Sequence, residues 1–291
     1  MSAVSNAAPD ASQTAIREGR SRARKLIADW NLDKAFINGE WARADSREAI
    51  DVYDPATGKV IGDVPFTRTS EARRAIDAAD AAFPAWSRML AKERSGYLKR
   101  WRDLLEQYQD DLAALVTLEQ GKPYDQALRE VVGAIAYAEW YAEEAKRAYG
   151  QTMPATQRDR RVVVQKHPVG VVAAITPWNF PLTMVVRKCA PALAAGCTIV
   201  VKPAEDTPIS ALAAAKLAEM AGFPAGVFNV VTGQPMPIGE ALTGDPRVRM
   251  LSFTGSTEVG KRLMVQCAPT VKKLSLELGG NAPFIVMDDA D

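Results

Sequence analysis

The sequence predicts an α/β protein built on an open, doubly wound parallel sheet. In its second half, short β-branched runs alternate with alanine-rich stretches of helical spacing, joined by a few Gly, Pro or Thr residues. Continuous apolar strands separated by helices are typical of a parallel sheet that is covered on both faces and built by right-handed crossovers. The predicted strands are Val171–Ile175, Thr198–Val201, Val227–Val231, Met250–Phe253 and Leu274–Leu278.

The first half predicts a helical lead-in with an amino-terminal β-hairpin. Asn38-Gly39 between apolar residues is a strong hairpin signal, and a second turn follows at 54–58. Between the two halves, Arg160–Lys166 forms a strand-like segment with charged ends. Apolar residues recur at helical spacing in three segments, Ala72–Phe83, Tyr97–Val116 and Val131–Ala148.

Composition narrows the classes of function. The chain has 36 basic and 35 acidic side chains and a net charge of +1, so no excess charge favours nucleic acid or an anionic membrane as partner. Its three cysteines include no CxxC pair, which favours a reducing compartment such as the cytoplasm. No run approaches the roughly 18 apolar residues of a membrane-spanning helix.

Residues 1–35 are rich in Ala, Ser and Arg and allow two interpretations. The basic cluster is compatible with an amphipathic transit peptide. Four acidic residues argue against that interpretation and favour a solvated first helix after a frayed terminus. They are Asp10, Glu18, Asp29 and Asp33.

Ligands of doubly wound sheets bind beyond the carboxyl ends of the strands, so the loops there are where we expect a site. Four of these loops have unusual sequences. They are Thr176-Pro177-Trp178-Asn179-Phe180-Pro181, Lys202-Pro203-Ala204-Glu205, Thr254–Gly260 and Glu277–Asn281.

Two of the loops suggest a dinucleotide. Glycines between Gly255 and Gly260 would let backbone N–H groups at a helix start face a pyrophosphate, although they also suit a simple tight turn. Lys202 can donate to ribose hydroxyls, and Glu205 can accept from the 2′-hydroxyl. A carboxylate there repels a 2′-phosphate, so we expect NAD to be preferred, with NADP possible. The alternative for this pair is two solvated charges beside a turn.

The other two loops carry groups suited to acyl chemistry. Asn179 is a side-chain amide donor held between two prolines, which suits a developing oxyanion. Its alternative is a turn asparagine beside an aromatic anchor. Glu277 ends an apolar strand, where burial would raise its pKa, and the following glycines would let it move as a general base. Its alternative is a carboxylate that caps the next helix.

Together the four loops, in this order, resemble the aldehyde dehydrogenase superfamily from about Phe36 to Asp291. The resemblance implies a Rossmann-like cofactor domain and covalent oxidation of an aldehyde with NAD. It implies that Asn179 is the oxyanion donor and Glu277 the base. The residues implied to contact the cofactor are Thr176, Pro177, Trp178, Lys202, Pro203, Ala204, Glu205, Gly233, Gly255, Ser256 and Leu278.

Further segments resemble the succinate-semialdehyde dehydrogenase branch in particular. They are Thr117–Pro123, Lys202–Pro208 and Glu277–Val286. In that branch an arginine after the Trp-Asn-Phe-Pro loop helps to hold the substrate carboxylate, and Arg187 stands at the matching place. Without the resemblance, Arg187 is equally well a surface residue. The implied substrate is succinate semialdehyde or a relative such as glutarate semialdehyde.

The resemblance also implies a cysteine nucleophile in a Gly-Gln-x-Cys motif, which these 291 residues lack. Cys189, Cys197 and Cys267 are instead interpreted as core residues, and His167, the one histidine, as a satisfied structural residue. Asp288, Asp289 and Asp291 lack partner ligands, so no metal site is expected.

We therefore expect a fragment without its catalytic domain, inactive alone and prone to aggregate, from an enzyme that forms a homo-oligomer in full length. The other hypothesis is a short module that binds a dinucleotide or pairs with full-length subunits. The expected parts are a partly disordered extension (1–35), the hairpin and helical part of the cofactor domain (36–150), a bridging strand segment (151–168), the NAD-binding core (169–280) and the start of the catalytic domain (281–291).

Overall fold

A computed structural model describes residues 11–290; residues 1–10 of the predicted extension and Asp291 lie outside the described residues. The helices are α1 (Ala11–Asp29), α2 (Thr69–Arg88), α3 (Ala91–Gln107), α4 (Gln109–Gln120), α5 (Tyr124–Glu144), α6 (Thr183–Ala194), α7 (Ile209–Met220), α8 (Pro235–Gly244) and α9 (Thr257–Cys267). The strands are β1 (Ala35–Ile37), β2 (Glu40–Ala42), β3 (Ala49–Asp54), β4 (Lys59–Pro65), β5 (Gln151–Met153), β6 (Val162–Val164), β7 (Val171–Ile175), β8 (Thr198–Lys202), β9 (Phe228–Val230), β10 (Val248–Thr254) and β11 (Lys273–Glu277).

Seven strands form the main sheet in the order β11-β10-β7-β8-β9-β1-β2. The strands from β7 to β11 are parallel, which confirms the predicted doubly wound sheet. From β7 the chain first builds outward through β8 and β9, then returns to the other side of β7 to add β10 and β11. The strand order therefore reverses between β7 and β10, and a ligand crevice is expected at their carboxyl ends.

The amino-terminal hairpin is confirmed, and it has an additional role in the sheet. Asn38 and Gly39 both adopt positive φ, as the tight turn requires. Strand β1 pairs antiparallel with β9, so the hairpin extends the main sheet at one edge. Its turn is fixed there because the Asn38 N–H donates to Asn229 Oδ1 over 2.9 Å.

Two features of the first half differ from prediction. The segment predicted as one helix, Tyr97–Val116, is two helices that part at Tyr108. No proline or glycine marks this break; the Tyr108 ring packs edge-on against Trp30, 5.0 Å between centroids. Strands β3 and β4 form a hairpin around the turn predicted at 54–58. The two strands were not predicted, because the charged residues on their exposed faces interrupt the apolar pattern.

The core lies on both faces of the sheet, as a doubly wound fold requires. Successive residues of β7 alternate between the two faces: Val172 and Ala174 join one apolar cluster, and Val171 and Ala173 join the other. The first cluster includes α3, α4, α5, α6 and α7, and the second includes α2, α8 and α9.

Two peripheral elements complete the description. Helix α1 lies against α4, with Ala23 and Leu26 buried, so this described part of the predicted extension is packed onto the domain. The bridging segment is a small antiparallel hairpin of β5 and β6 whose residues are exposed. None of the helices within residues 11–290 has the length and apolar character needed to cross a bilayer.

Candidate active site at the strand ends

Lys202 and Glu205 form an ion pair at the carboxyl end of β8. The Lys202 side chain is 4% exposed, whereas 37% of the Glu205 side chain is exposed. Burial lowers the pKa of the Lys202 ammonium, and the Glu205 carboxylate opposes that shift. The two residues predicted to hold the ribose are therefore adjacent, with the carboxylate on the solvent side.

The loop after β7 lies beside this pair. The Thr176 N–H donates to the Lys202 carbonyl oxygen over 3.1 Å, which ties the start of the loop to the end of β8. Trp178 and Asn179 are exposed. The buried Thr176 hydroxyl has no hydrogen-bond partner among the described residues. Polar and aromatic groups at this edge thus remain accessible to a ligand.

Helix α9 begins at the neighbouring strand end, with Ser256 as its N-cap. Ser256 Oγ accepts a hydrogen bond from the Val259 N–H over 3.3 Å, and the Gly255 N–H donates to the Glu277 carbonyl oxygen over 3.1 Å. These are the two positions predicted to meet a pyrophosphate. The Gly255 N–H thus has a partner within the fold, whereas the Ser256 hydroxyl only accepts in its bond and keeps its O–H for a ligand. The first-turn N–H groups of Thr257 and Glu258 remain for an anion.

Leu278 passes directly over this helix start. A Cβ on Gly260 would lie 2.5 Å from Leu278 Cδ2, so the Leu278 side chain packs directly on the Gly260 backbone. The predicted cofactor residue Leu278 is therefore held beside the first turn of α9.

Glu277 ends β11, which is an edge strand of the sheet. The expectation that Glu277 is buried is wrong for the described chain, because the residue is exposed. Strand β11 has a neighbour on one side only, and its residues alternate between exposed and half-buried. The burial that the sequence analysis expected at this strand end is therefore absent.

Lys188 is a charged residue near Glu277 that the sequence analysis did not assign to the site. Its Nζ donates to Ser252 Oγ over 2.9 Å. Burial lowers the pKa of Lys188 to about 8; the positive charge of Arg187 acts in the same direction, and the Glu277 carboxylate opposes it. The only signal in the sequence is a lysine within an apolar helix.

Two buried glutamates of the helical layer were also missed. The Glu119 carboxylate accepts hydrogen bonds from the backbone N–H groups of Ile209 and Ser210 at the start of α7, with N···O distances of 2.5 and 3.0 Å. Burial raises the pKa of Glu119 to about 7. Glu130 accepts the Leu182 N–H at the start of α6, at 3.0 Å. Each glutamate fixes the helix that follows one of the candidate loops.

Gly233 has a packing role that the sequence did not reveal. Its φ is +124°, and a Cβ would overlap the backbone N and O of Thr67. The Gln234 N–H donates to the Thr67 carbonyl oxygen over 3.1 Å, so the backbone of the loop after β9 is in direct contact with the backbone of the segment before α2. Its cofactor contact stays a prediction.

Arg187 is exposed on α6, and its guanidinium carbon lies 5.5 Å from the centre of the Tyr137 ring. Two adjoining surface depressions share Gly133; Phe180 lines one and Tyr137 the other. Arg187 itself lines neither depression, and its guanidinium lies beside the Tyr137 ring that borders one of them.

The remaining candidates lie outside this edge of the sheet. All three cysteines are buried, as predicted, and burial raises the pKa of each thiol. His167 is exposed rather than packed as a structural residue. Residues 11–290 contain no group of three or more His, Cys, Asp or Glu side chains placed to hold a metal ion.

Residues 41–291 match the aldehyde dehydrogenase family, and the chain belongs to that family. It is 60% identical over 267 residues to a succinate-semialdehyde dehydrogenase [NADP(+)] of Escherichia coli, covering 91% of this chain and 55% of that protein. It is also 60% identical over 258 residues to a glutarate-semialdehyde dehydrogenase of Pseudomonas putida, covering 89% of this chain and 54% of that protein.

The fold is similar to solved structures of the family. A betaine aldehyde dehydrogenase of Staphylococcus aureus in complex with NAD+ superposes with a TM-score of 0.89 at 34% identity, over 94% of this chain and 55% of that one. The chain spans about half the length of the curated relatives that it matches.

Proposed function

We propose that this chain binds a nicotinamide dinucleotide and serves the oxidation of succinate semialdehyde, or a related acid semialdehyde such as glutarate semialdehyde, to the carboxylate. The observation that carries the proposal is the meeting of Lys202, Glu205, the Trp178-Asn179 loop and the start of α9 at one edge of the sheet, where the strand order reverses. Relatives at 60% identity with semialdehyde substrates in their names support the substrate class.

The residues at this edge fit a dinucleotide. The buried Lys202 ammonium and the Glu205 carboxylate supply a donor and an acceptor for ribose hydroxyls, and the helix start supplies N–H groups for the pyrophosphate. The Thr176 hydroxyl, which has no hydrogen-bond partner within residues 11–290, offers one more polar group. We propose NAD as the preferred cofactor, because Glu205 would repel a 2′-phosphate. Contacts from Pro177, Trp178, Pro203, Ala204, Gly233 and Leu278 complete the proposed pocket.

When bound, the dinucleotide accepts the hydride that leaves the aldehyde carbon. In the proposed mechanism Asn179 donates a hydrogen bond to the aldehyde oxygen as negative charge develops on it. Attack of the nucleophile's thiolate on the aldehyde carbon, followed by loss of the hydride from that carbon, leaves a thioester. Glu277 takes a proton from the water that hydrolyses this thioester and frees the thiolate, and Arg187 holds the remote carboxylate of the substrate. We place the nucleophile outside these 291 residues, because all three of their thiols are buried and their raised pKa values disfavour the thiolate.

The organisation that we propose keeps the parts predicted from the sequence. The core of 169–280 carries the cofactor loops, residues 36–150 support it, and 281–291 lead toward a catalytic domain. The whole enzyme is proposed to be a homo-oligomer that acts in the cytoplasm.

The test is NADH formation from succinate semialdehyde and from glutarate semialdehyde. The 291-residue chain is compared with the same chain extended to the length of its relatives, and with the Glu277→Gln variant of the extended chain. We expect turnover by the extended protein alone, and its loss in Glu277→Gln. NADH formation by the 291-residue chain would contradict the placement of the nucleophile; an extended protein that oxidises neither aldehyde would contradict the function.

A further inference from the structure

The Lys122 ammonium lies where three elements of the fold meet. Its Nζ donates to the backbone carbonyl oxygen of Asn179 over 2.8 Å. It contacts Glu130 Oε2 at 2.5 Å and lies 4.0 Å from the centre of the Phe180 ring. Only 10% of the Lys122 side chain is exposed, although its bond to the Asn179 carbonyl oxygen lies at the surface.

Glu130 connects the same loop to α5. Its side chain is fully buried, with one oxygen on Lys122 and the other on the N–H groups of Leu182 and Thr183, at 3.0 and 3.2 Å. In return, Thr183 Oγ1 donates to the Glu130 backbone oxygen over 2.6 Å. The loop is therefore held by Lys122 at Asn179 and by Glu130 just after Pro181.

The position of Lys122 is itself fixed. Gly121 ends α4 with a φ of +91°, and its N–H donates to the Thr117 carbonyl oxygen over 3.0 Å. The Lys122 N–H donates to Gln120 Oε1 over 3.0 Å. The lysine thus projects from a defined turn between two packed helices, which limits its freedom to follow a displaced loop.

We propose that Lys122 and Glu130 are positioning residues that fix the Asn179 backbone so that its side-chain amide points at the reacting oxygen. This inference rests on the proposed function, in which Asn179 is the oxyanion donor. Such a donor contributes only when its position is preorganised, and a displacement of about 1 Å can cost about a hundredfold in rate. An ammonium bound to the Asn179 carbonyl oxygen acts at the residue whose amide must be placed.

The test is a double-mutant cycle in the extended, active protein. Lys122→Met keeps the aliphatic stem but removes the ammonium, and we expect kcat to fall at least about tenfold with KM for both substrates changed less than about threefold. In an Asn179→Ala background, the same substitution should lower kcat by less than about twofold, because the group that Lys122 positions is gone. Lys122→Arg, which can keep both polar contacts, should restore part of the rate.

Lys216→Met is the matched control, because Lys216 also pairs with a glutamate, at 2.6 Å from Glu219 Oε2, and lies 5.7 Å from a ring centre, that of Trp41. It should leave kcat unchanged. Equal losses from Lys122→Met in both backgrounds would overturn the positioning role and leave only a structural one. A wild-type rate in Asn179→Ala would instead refute the oxyanion assignment, and with it the proposed function of the loop.

A second measurement covers variants too unstable for kinetics. Hydrogen exchange in the 291-residue chain reports on the amides of Leu182 and Thr183 and on the loop before them. Glu130→Gln should speed exchange in 178–183 and spare the start of α7, which Glu119 holds. Unchanged exchange in 178–183 would contradict the role of Glu130.

Discussion

The Lys202 ammonium, almost fully buried at the end of β8, is paired with the carboxylate of Glu205, which faces solvent. The buried charge is thereby compensated, and the pair presents an acceptor at the edge of the proposed cofactor pocket. Because a carboxylate accepts hydrogen bonds from hydroxyl groups but repels phosphate, this pairing has consequences for cofactor choice.

Glu205→Gln should shift cofactor preference toward NADP. The substitution removes the charge that would repel a 2′-phosphate and leaves Lys202 free to bind it. We expect the ratio of Kd for NADP to Kd for NAD to fall at least about tenfold, equivalent to about 1.4 kcal/mol. Titration calorimetry of the wild type and of Glu205→Gln, each with NAD and with NADP, measures this ratio. Wild-type binding of NADP that is tenfold tighter than binding of NAD would contradict the preference.

Arg187→Gln should weaken substrate recognition and leave the cofactor site intact. Loss of the guanidinium removes the partner for the remote carboxylate, so KM for succinate semialdehyde should rise at least about tenfold. For an uncharged aldehyde such as butanal, KM should change little. An equal rise in KM for both aldehydes would show that Arg187 supports the fold and does not bind the substrate carboxylate.

Lys188 should make stability depend on pH in the alkaline range. Its pKa is about 8 in the folded chain and 10.5 ordinarily, so between these values the unfolded chain holds more protons. The contribution of Lys188 to the free energy of unfolding is fully present above pH 10.5, where the side chain is neutral in both states, and is lost as pH falls through about 8. Relative to Lys188→Met, the wild-type unfolding free energy should therefore rise across this interval, as measured by urea denaturation. A difference in unfolding free energy between wild type and Lys188→Met that does not change with pH would contradict the lowered pKa of Lys188.

Gly233→Ala should destabilise the chain by at least about 2 kcal/mol, because the added Cβ strains a positive φ and meets the backbone of Thr67. Gly244→Ala is the matched control: Gly244 ends α8, and a Cβ there meets nothing within 4 Å. Thermal unfolding compares the two variants. Equal melting temperatures would show that the contact between Gly233 and Thr67 is not required.

The sheet was predictable because its strands are local apolar runs with clear boundaries. The predicted strand Val171–Ile175 matches β7 residue for residue. The hairpin at Asn38-Gly39 was equally clear, but its pairing with β9 depends on contacts between residues about 190 positions apart, such as Asn38 and Asn229. No local pattern encodes that pairing.

The candidate site was only partly predictable, for the same reason. Strand topology brings Lys202, Asn179 and Ser256 to one edge, and each follows a recognisable apolar strand. Lys122 and Glu130 act through contacts with a loop more than 50 positions away. The resemblance included Lys122 in the segment Thr117–Pro123 but gave it no role, and Glu130 is an ordinary helix charge in the sequence. The exposure of Glu277 follows from the edge position of β11, which the sequence of that strand does not reveal.

The most direct test of the central claim is calorimetric titration of the 291-residue chain with NAD, using Lys202→Met and the remote control Lys216→Met. We predict saturable binding that Lys202→Met weakens at least about tenfold and Lys216→Met leaves unchanged. Absence of binding by the folded chain, or equal affinity in Lys202→Met and wild type, would contradict a dinucleotide site at the ends of these strands.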